Sequence, residues 1–213
     1  MKKGIREALL RKRNGIKLAE KRLKETAIRK RLFALSDLKK ARNILFYSSF
    51  RSEVDTMRCI QHAIKLKKRI ALPLVDRKKK RLKLYKIKDV SELVSGYMGI
   101  LEPGITKGRK TSLKEMDVVI IPGAGFDIKG NRLGYGFGYY DKLLSKPTGR
   151  EIIINISRPK RHFTLHQDSG AGFTTIALAF EEQIVPRVPD EIHDVKVDKI
   201  ITDKRVINCK KNE

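Results

Sequence analysis

Short apolar runs alternate with more polar stretches along most of the chain. Several of these runs are apolar at every position, a pattern typical of strands that are buried on both faces of a parallel sheet. Between the first two runs, residues 53–67 carry apolar side chains at helical spacing, which predicts a strand–helix–strand unit. The segments that we predict to be strands are residues 44–50, 69–75, 83–87, 118–122, 151–156, 175–180 and 199–202.

A second pattern occupies residues 5–35, where apolar side chains recur along one face of a helix. Mostly basic residues fill the positions between them, which predicts one or two amphipathic helices with a basic outer face. The apolar positions of this face are Leu9, Ile16, Leu23, Ile28, Leu32 and Leu35. We therefore expect a single α/β domain over residues 1–213, with three α/β/α layers, a mostly parallel Rossmann-like sheet, and a long basic N-terminal helix within a helical region at residues 1–42.

The composition excludes several classes of protein. The 213 residues are 40% hydrophobic and 34% charged, so the chain has enough apolar residues for a core. No apolar run approaches the roughly 20 residues that span a bilayer, and the basic N-terminus lacks the apolar stretch of a signal peptide. Two cysteines, Cys59 and Cys209, are too few for a disulfide framework or a four-cysteine zinc site. A cytoplasmic protein with no membrane partner fits these features.

The net charge of +25 points first to nucleic acid, but its distribution matters more than its sum. Residues 1–47 carry +12 and residues 65–88 carry +11, which leaves the second half of the chain nearly balanced. The N-terminal excess fits either a solvated helix or a surface for an anionic ligand, and the basic run at residues 77–81 is expected to be a charged hairpin or crossover loop. A nucleic-acid-binding module stays an alternative, although the chain has no tryptophan for base stacking and no recognised binding motif.

Residues 121–141 form the most distinctive segment of the sequence, and they follow a predicted strand. Ligands of parallel α/β sheets bind beyond the carboxyl ends of the strands, so the loops after Phe50, Pro122 and Phe180 are candidate sites. Glycines at positions 134, 136 and 138 allow the backbone to approach a ligand closely, and successive N–H groups in such a loop bind phosphate oxygens. The spacing matches neither the P-loop nor the dinucleotide fingerprint. A tight structural turn with its tyrosines packed on the sheet is the competing interpretation.

Charged side chains in and near this segment suit phosphate chemistry. Arg132 offers a bidentate contact to a phosphate group. Asp141 either caps the following helix or holds Mg²⁺, which in proteins takes one or two carboxylates together with phosphate oxygens. A second carboxylate would come from residues 189–194, just before the last predicted strand.

Seven short segments occur in order from the N-terminus to about residue 205. The most specific is GNRLGYGFGYYD at residues 130–141, and the others are KKGIR, EVDT, LEP, IPGAGFD, ALAFEEQ and HDVKVDKIIT. Together they resemble the 5-formyltetrahydrofolate cyclo-ligase family, whose members are also called methenyltetrahydrofolate synthetases. The resemblance implies an ATP- and Mg²⁺-dependent ligase that converts 5-formyltetrahydrofolate into 5,10-methenyltetrahydrofolate, with release of ADP and phosphate.

The implied mechanism uses ATP to phosphorylate the formyl oxygen, after which N10 attacks the activated carbon and phosphate leaves. Such a reaction requires positioning and charge neutralisation rather than a protein nucleophile. This agrees with the lack of a convincing Ser/His/Asp or Cys/His signature in the sequence. The implied partners are small molecules, namely ATP and 5-formyltetrahydrofolate with or without a polyglutamate tail, and no specific nucleic acid. The implied assembly is a monomer or a weak homodimer.

The resemblance also implies roles for individual residues. Glu53 matches the glutamate that binds the pterin, Ser48 falls at a further substrate contact, and Asp141 and Asp194 match the Mg²⁺ ligands. The residues that match the N-terminal ATP-binding element are Lys2, Lys3, Gly4, Ile5 and Arg6. The residues that match the ATP loop are Arg132, Leu133, Gly134, Tyr135, Gly136, Phe137, Gly138, Tyr139 and Tyr140. The members of this loop that also face the substrate are Tyr135, Gly136, Phe137, Gly138 and Tyr139.

The chain departs from the family pattern at residues 149–175, which are longer than the usual link and are expected to be an insertion. His162 and His166 lie there at helical spacing, near Asp168. An ordinary surface insertion is favoured over a zinc site, which would need further ligands placed by the fold. A different α/β enzyme that acts on sugar phosphates or acyl-CoA is a weaker alternative for the whole chain. The basic residues 77–88 are expected to help retain polyglutamylated folate.

Overall fold

A computed structural model describes residues 2–145, 172–191 and 194–209. The strand predicted at residues 151–156, the pair His162 and His166, and Asp168 lie outside the described residues. The helices are α1 (Lys2–Asn14), α2 (Leu18–Ala34), α3 (Ser36–Lys40), α4 (Met57–Lys65) and α5 (Tyr139–Leu144), with short 3₁₀ helices at Val90–Glu92, Tyr97–Gly99, Leu113–Glu115 and Glu181–Gln183. The strands are β1 (Asn43–Leu45), β2 (Arg69–Asp76), β3 (Arg81–Ile87), β4 (Leu93–Ser95), β5 (Leu101–Pro103), β6 (Lys110–Thr111), β7 (Val118–Ile121), β8 (Gly125–Phe126), β9 (Arg132–Leu133), β10 (Thr174–Leu178), β11 (Lys199–Ile201) and β12 (Val206–Asn208).

Eight of these strands form one sheet in the order β12-β11-β10-β7-β1-β2-β3-β6. The five central strands, β11, β10, β7, β1 and β2, are parallel to one another, whereas β12, β3 and β6 pair in the antiparallel sense. The chain leaves β1 for β2 on one side, and later strands are added on the other side through β7. The strand order therefore reverses between β1 and β7, and ligands of such sheets bind at the carboxyl ends of those two strands.

Helices cover both faces of the sheet, which confirms the expected α/β fold with a mostly parallel sheet. Successive strand residues point to opposite faces, so Ile44 and Ile120 belong to one apolar cluster while Leu45 and Val119 belong to the other. The first cluster includes side chains of α2, α3 and α4, and the second packs against α5 and the 3₁₀ helix at Leu113–Glu115. Continuous apolar runs are buried on both faces here, as the sequence pattern predicts.

The N-terminal region forms two main helices, and one predicted position of its apolar face is wrong. Leu9, Ile28 and Leu32 are buried, but the side chain of Leu23 is 74% exposed. The chain between α1 and α2 interrupts the helix, because Lys17 has an extended backbone with ψ 144°. Because of this break, a residue seven positions after Ile16 does not lie on the same side of the structure as the apolar residues of α1. Leu23 therefore faces away from the core.

Residues 44–67 differ from the prediction at two boundaries. The first strand ends at Leu45 rather than at residue 50, and the following helix starts at Met57 rather than at residue 53. Side-chain hydrogen bonds hold the intervening loop in a non-helical form: Thr56 Oγ1 donates to the carbonyl of Tyr47 at 2.7 Å and accepts the N–H of Ser49 at 2.9 Å. The loop thereby lies beyond the end of β1, where a ligand is expected.

The basic run at residues 77–81 joins β2 to β3 in a hairpin, which confirms the charged-hairpin prediction. The other predicted strands within the described residues agree with the structure to within two residues at each end. The short strands β4, β5, β6, β8, β9 and β12 were not predicted, because two or three residues carry too little pattern to identify a strand. Cys59 and Cys209 are both free, and no helix of the described residues is long and apolar enough to cross a membrane.

Candidate active site

A cleft of about 600 Å³ lies at the carboxyl ends of β1 and β7, where the strand order reverses. This volume is typical of small-molecule sites, which measure roughly 300–1,000 Å³. The cleft is lined by α1, by the loop after β1, by residues near the β2–β3 hairpin, by residues 97–102, by residues 132–141, and by Glu191 and Asp194. The loops predicted after Phe50 and Pro122 thus reach the cleft, whereas Glu181–Gln183 after Phe180 does not line it.

Residues 132–138, the glycine loop, connect β9 to α5 along one wall of the cleft. Gly136 and Gly138 have φ of 98° and 64°, values that residues with a side chain rarely adopt. Arg6 of α1 lies against this loop, since its Nε donates to the carbonyl of Gly134 at 2.7 Å. A Cβ at Gly136 would make only an ordinary contact with the Arg6 guanidinium, 3.6 Å away, so the positive φ rather than a lack of space favours glycine here.

A buried polar turn holds the glycine loop from behind. The carboxylate of Asp127 is 1% exposed and accepts the backbone N–H groups of Lys129, Asn131 and Val188 at 2.9 to 3.1 Å. On the other side, the side-chain amide of Gln183 donates to the carbonyls of the chain just before β8. These contacts fix the backbone just before the glycine loop. The position of the loop along the cleft wall is therefore fixed as well.

Arg132, the first residue of the glycine loop, forms an ion pair with Asp141 in α5. The Arg132 side chain is 5% exposed, and its Nε is buried without a hydrogen-bond partner. A buried guanidinium N–H without an acceptor is costly, and an anion in the cleft would supply one. The arrangement therefore favours an anionic ligand at this end of the cleft.

A second group of charges lies where α1 meets Glu191 and Asp194. Lys2 Nζ is 2.9 Å from a carboxylate oxygen of Asp194 and 2.9 Å from one of Glu191. Partial burial opposes protonation, but the two carboxylates raise the pKa of Lys2 above its usual value. Lys2, Arg6 and Arg132 thus supply three cations to one cleft.

The predicted Mg²⁺ ligands are Asp141 and Asp194, and both of these carboxylates line the cleft. Among the described residues, no three His, Cys, Asp or Glu side chains are grouped closely enough to hold a metal ion by themselves. This donor set suits Mg²⁺, which keeps water ligands and takes one or two carboxylates with phosphate oxygens. It does not suit a metal that needs four protein ligands.

Another part of the cleft wall holds a buried network around Glu53. One oxygen of this carboxylate accepts the N–H of Phe50 at 2.8 Å, and the hydroxyl of Tyr135 also hydrogen-bonds to the carboxylate. Arg13 Nη1 donates to the Tyr135 oxygen at 2.7 Å. Glu53 is 8% exposed, and this burial raises its pKa, while Tyr135, Phe50 and Arg13 act in the opposite direction.

Tyrosines and a serine complete this end of the cleft. Burial, together with the nearby charge of Glu53, raises the pKa of Tyr47, Tyr135 and Tyr140, so all three are neutral hydroxyls at neutral pH. Ser48 is 6% exposed, and its hydroxyl has no hydrogen-bond partner. A buried hydroxyl that faces a cleft without a partner is suited to contact a polar ligand.

Most of the residues predicted for the site line this cleft, but three of the N-terminal ones do not. Lys3 and Gly4 are exposed on α1, and Ile5 packs near Leu9 and Val188. A helix presents only one face to a neighbour, so consecutive residues of α1 do not all reach the cleft. Within α1, Lys2 and Arg6 are the predicted residues that line it.

Several lining residues were missed by the sequence analysis. Arg13 was one of many basic residues in its region, and no local pattern distinguished it. Glu102 belonged to the short LEP segment, to which no role was given; its buried carboxylate accepts the N–H of Val75 at 3.1 Å. Tyr97 and Met98 lie in a turn between two strands too short to predict. The one usable signal was the position of Glu102 within a segment shared with the family.

The chain is similar in sequence and in fold to several known proteins. The sequence profile described as the 5-formyltetrahydrofolate cyclo-ligase family matches residues 1–156 and 159–203. A mouse 5-formyltetrahydrofolate cyclo-ligase is 26% identical over 94% of this chain and 92% of its own length. A fission yeast protein, a probable 5-formyltetrahydrofolate cyclo-ligase, is 29% identical over 85% of this chain and 84% of its own length. The solved structure of Aquifex aeolicus 5,10-methenyltetrahydrofolate synthetase superposes with a TM-score of 0.78 and 26% identity, covering 100% of this chain and 94% of that one.

Proposed function

The chain belongs to the 5-formyltetrahydrofolate cyclo-ligase family, and we propose that its cleft converts 5-formyltetrahydrofolate into 5,10-methenyltetrahydrofolate, with ATP consumed and ADP and phosphate released. The observation that carries the proposal is the convergence of Glu53, the glycine loop and three cations on one cleft. One end of this cleft suits a polyanion, and the other suits a neutral polar heterocycle. The reaction needs both ligands side by side.

We assign the ATP phosphates to the end of the cleft that Lys2, Arg6 and Arg132 line. The unpartnered Nε of Arg132 supports this assignment, because a phosphate oxygen would accept its hydrogen. The position of Gly136 against the Arg6 guanidinium also supports it, since successive backbone N–H groups in a loop of this kind bind phosphate oxygens. These groups would neutralise charge on the transferred phosphoryl group and keep it in line with the formyl oxygen.

We assign Mg²⁺ to Asp141 and Asp194, whose carboxylates suit this ion together with phosphate oxygens. When bound, Mg²⁺ neutralises part of the phosphate charge. The two carboxylates already lie next to the cations Arg132 and Lys2. Each pair of residues would therefore contact both ligands, with the cation on a phosphate and the aspartate on Mg²⁺. The position of the metal relative to the phosphates would thereby be fixed.

We assign the pterin to the end of the cleft around Glu53. An ionised carboxylate accepts two hydrogen bonds side by side, which suits paired N–H donors on a heterocyclic ring. Ser48 and Tyr135 add neutral hydroxyls next to it. With the ring held at Glu53 and the phosphates at Arg132, the formyl group and N10 would lie between them, and no protein nucleophile is needed.

An absorbance assay tests the function directly. Incubation of the protein with 5-formyltetrahydrofolate, ATP and Mg²⁺ is expected to produce the absorption band of 5,10-methenyltetrahydrofolate together with stoichiometric ADP. Reactions without ATP, or with the metal chelated, serve as controls and are expected to give no product. Failure to form product with all three present, while circular dichroism shows folded protein, would exclude the proposed reaction.

We further propose that the basic hairpin at residues 77–80 binds the glutamate tail of polyglutamylated folate. These residues are exposed, while Val75 and Leu82 beside them line the cleft. The guanidinium of Arg77 lies 5.2 Å from the ring centroid of Tyr97, another lining residue. A chain of carboxylates that leaves the cleft here would meet positive charge at once.

Neutralising this hairpin is expected to affect polyglutamate substrates selectively. Replacing Lys78, Lys79 and Lys80 by Gln should lower kcat/KM for a polyglutamate substrate about fivefold at low salt, since exposed ion pairs are individually weak. The monoglutamate substrate should be turned over as by the wild type. The control variant replaces Lys39, Lys40 and Lys65 by Gln, because these exposed lysines lie near the amino ends of β1 and β2, opposite the cleft. If kcat/KM for the polyglutamate substrate fell equally in both variants, the effect would come from net charge alone and not from the hairpin.

A further inference from the structure

We propose that Arg13 is a positioning residue for the folate end of the cleft, where its guanidinium holds the hydroxyl of Tyr135 and, through that hydroxyl, the carboxylate of Glu53. The inference rests on the proposed folate site and adds a residue to which neither the family resemblance nor the comparisons give a role. Arg13 lies near the end of α1, on the face that also carries Lys2 and Arg6.

The contacts of Arg13 define its orientation. The residue is 4% exposed, its Nε donates to Ser52 Oγ at 2.9 Å, and its Nη1 donates to Tyr135 Oη at 2.7 Å. The guanidinium carbon is 5.7 Å from the centroid of the Tyr135 ring. Because the Tyr135 oxygen accepts a hydrogen from Arg13, its own hydrogen is free to be donated to Glu53.

The burial of Arg13 is not explained by an ordinary salt bridge. Within residues 2–145, 172–191 and 194–209, no carboxylate lies within salt-bridge distance of its guanidinium. A buried guanidinium is costly unless nearby negative charge compensates it. Glu53 supplies that charge across the Tyr135 hydroxyl. The Arg13 guanidinium therefore acts on the Glu53 carboxylate through the Tyr135 hydroxyl and does not itself bind the carboxylate oxygens. Arg13 thus leaves those oxygens available to a ligand.

The groups that face Glu53 come from four parts of the fold. They are Tyr47 after β1, Tyr135 in the glycine loop, Tyr140 in α5 and Arg13 in α1. Burial raises the pKa of Glu53, and the positive charge of Arg13 lowers it. The three tyrosines are neutral, so Arg13 is the cation that favours the ionised carboxylate among these groups.

The ionised form is the one that the folate site needs. A carboxylate accepts hydrogen bonds at both oxygens, whereas a protonated carboxyl group offers one O–H donor and loses an acceptor. Loss of the Arg13 charge would therefore convert Glu53 into a poorer acceptor at a higher pH than in the wild type. ATP binds at the other end of the cleft under the proposed function, so its KM should change little.

Two variants of Arg13 separate charge from geometry. In Arg13→Gln, KM for 5-formyltetrahydrofolate is expected to rise about tenfold, as for a lost hydrogen bond to a charged network, and the acid limb of kcat/KM should move to higher pH. In Arg13→Lys, the acid limb should return towards the wild-type position, while KM stays raised because lysine lacks the planar two-sided donor geometry. The exposed Arg11→Gln on the same helix is the matched control and should change neither quantity.

A separate measurement keeps the inference testable if the variants are inactive or the proposed reaction fails. The pKa of the Glu53 carboxyl group, followed by NMR with ¹³C-labelled glutamate in the protein without ligands, is expected to rise in Arg13→Gln and also in Tyr135→Phe, because the Tyr135 hydroxyl and the Arg13 charge both lower it in the wild type. An unchanged Glu53 pKa in Arg13→Gln would overturn the electrostatic role. Where the wild type turns folate over, an unchanged KM for folate together with an unmoved acid limb in Arg13→Gln would overturn the positioning role.

Discussion

Replacing Glu53 by Gln is expected to lower kcat/KM for 5-formyltetrahydrofolate by about 100-fold, the cost of losing hydrogen bonds to a buried charged group. The glutamine keeps the size of the side chain but replaces one acceptor oxygen by an N–H₂ donor. That donor would point at the N–H donors proposed for the pterin ring. KM for ATP should stay close to the wild-type value, since under the proposed function Glu53 does not contact ATP.

Two opposing effects on protein stability are expected in this variant, and a stability measurement separates the loss of activity from unfolding. The pKa of Glu53 is raised in the folded protein, so its ionised form opposes folding at pH values above the usual glutamate pKa. The neutral glutamine removes this opposition at neutral pH. The same substitution also removes the negative charge that compensates the buried Arg13 guanidinium. Because the two effects oppose each other, the thermal midpoint of Glu53→Gln is expected to stay close to that of the wild type, measured by circular dichroism without ligands.

Asp55→Asn is the matched control for this prediction. Asp55 lies two residues further along the same loop, accepts the N–H of Met57 at 2.8 Å and does not line the cleft. Asparagine keeps the acceptor oxygen, so kcat/KM should stay close to the wild-type value. If Glu53→Gln instead retained wild-type kcat/KM for folate, the pterin would have to bind elsewhere. Glu102, the other buried carboxylate of the cleft, would then be the residue to replace.

The parts of the fold that sequence predicted are those with a repeated local pattern. The central strands are continuous apolar runs, and α4 carries its apolar residues at helical spacing, so each was visible without its neighbours. The seven-residue spacing failed at Leu23, because a break in the helix between Asn14 and Leu18 changes the phase and leaves no mark in the spacing itself. The loop at residues 46–56 also escaped prediction, since long-range and side-chain hydrogen bonds shape it.

The same distinction applies to the candidate site. The glycine loop is contiguous, so its glycines and Arg132 were visible together in the sequence. Arg13 meets Tyr135 across 122 residues of chain, and no local feature of α1 separates it from the exposed Arg11. Lys3 and Gly4 were assigned with Lys2 as one block, although a helix turns consecutive residues to different sides. Long-range pairing decides such positions, and one sequence does not contain that information.

Asp141→Asn is expected to lower kcat by about 100-fold at a fixed Mg²⁺ concentration, in the range found for lost electrostatic stabilisation of a transition state. Two roles of Asp141 predict a loss. Under the proposed function it is a ligand of Mg²⁺, and in the structure it is the ion-pair partner of the buried Arg132. A single rate measurement does not separate these roles, but a metal titration does.

The titration compares Asp141→Asn with Arg132→Ala over a wide range of Mg²⁺ concentrations. If Asp141 is a metal ligand, its variant needs more Mg²⁺ for half-maximal rate and recovers part of kcat when the ion is raised. Arg132→Ala should instead raise KM for ATP, with the Mg²⁺ requirement close to that of the wild type. Asp190→Asn is the control, because Asp190 is an exposed acid four residues before Asp194 and does not line the cleft.

Asp194→Asn tests whether the two aspartates bind the same Mg²⁺ ion. Asp194 forms an ion pair at 2.9 Å with Lys2, which belongs to α1. It therefore does not share Arg132, the ion-pair partner of Asp141. A common metal ion would nevertheless give both aspartate variants the same increase in Mg²⁺ requirement. If only Asp141→Asn shows a loss, and that loss is no larger when Arg132 is also replaced, Asp141 serves to orient Arg132. In that case the metal would have to be assigned to other ligands.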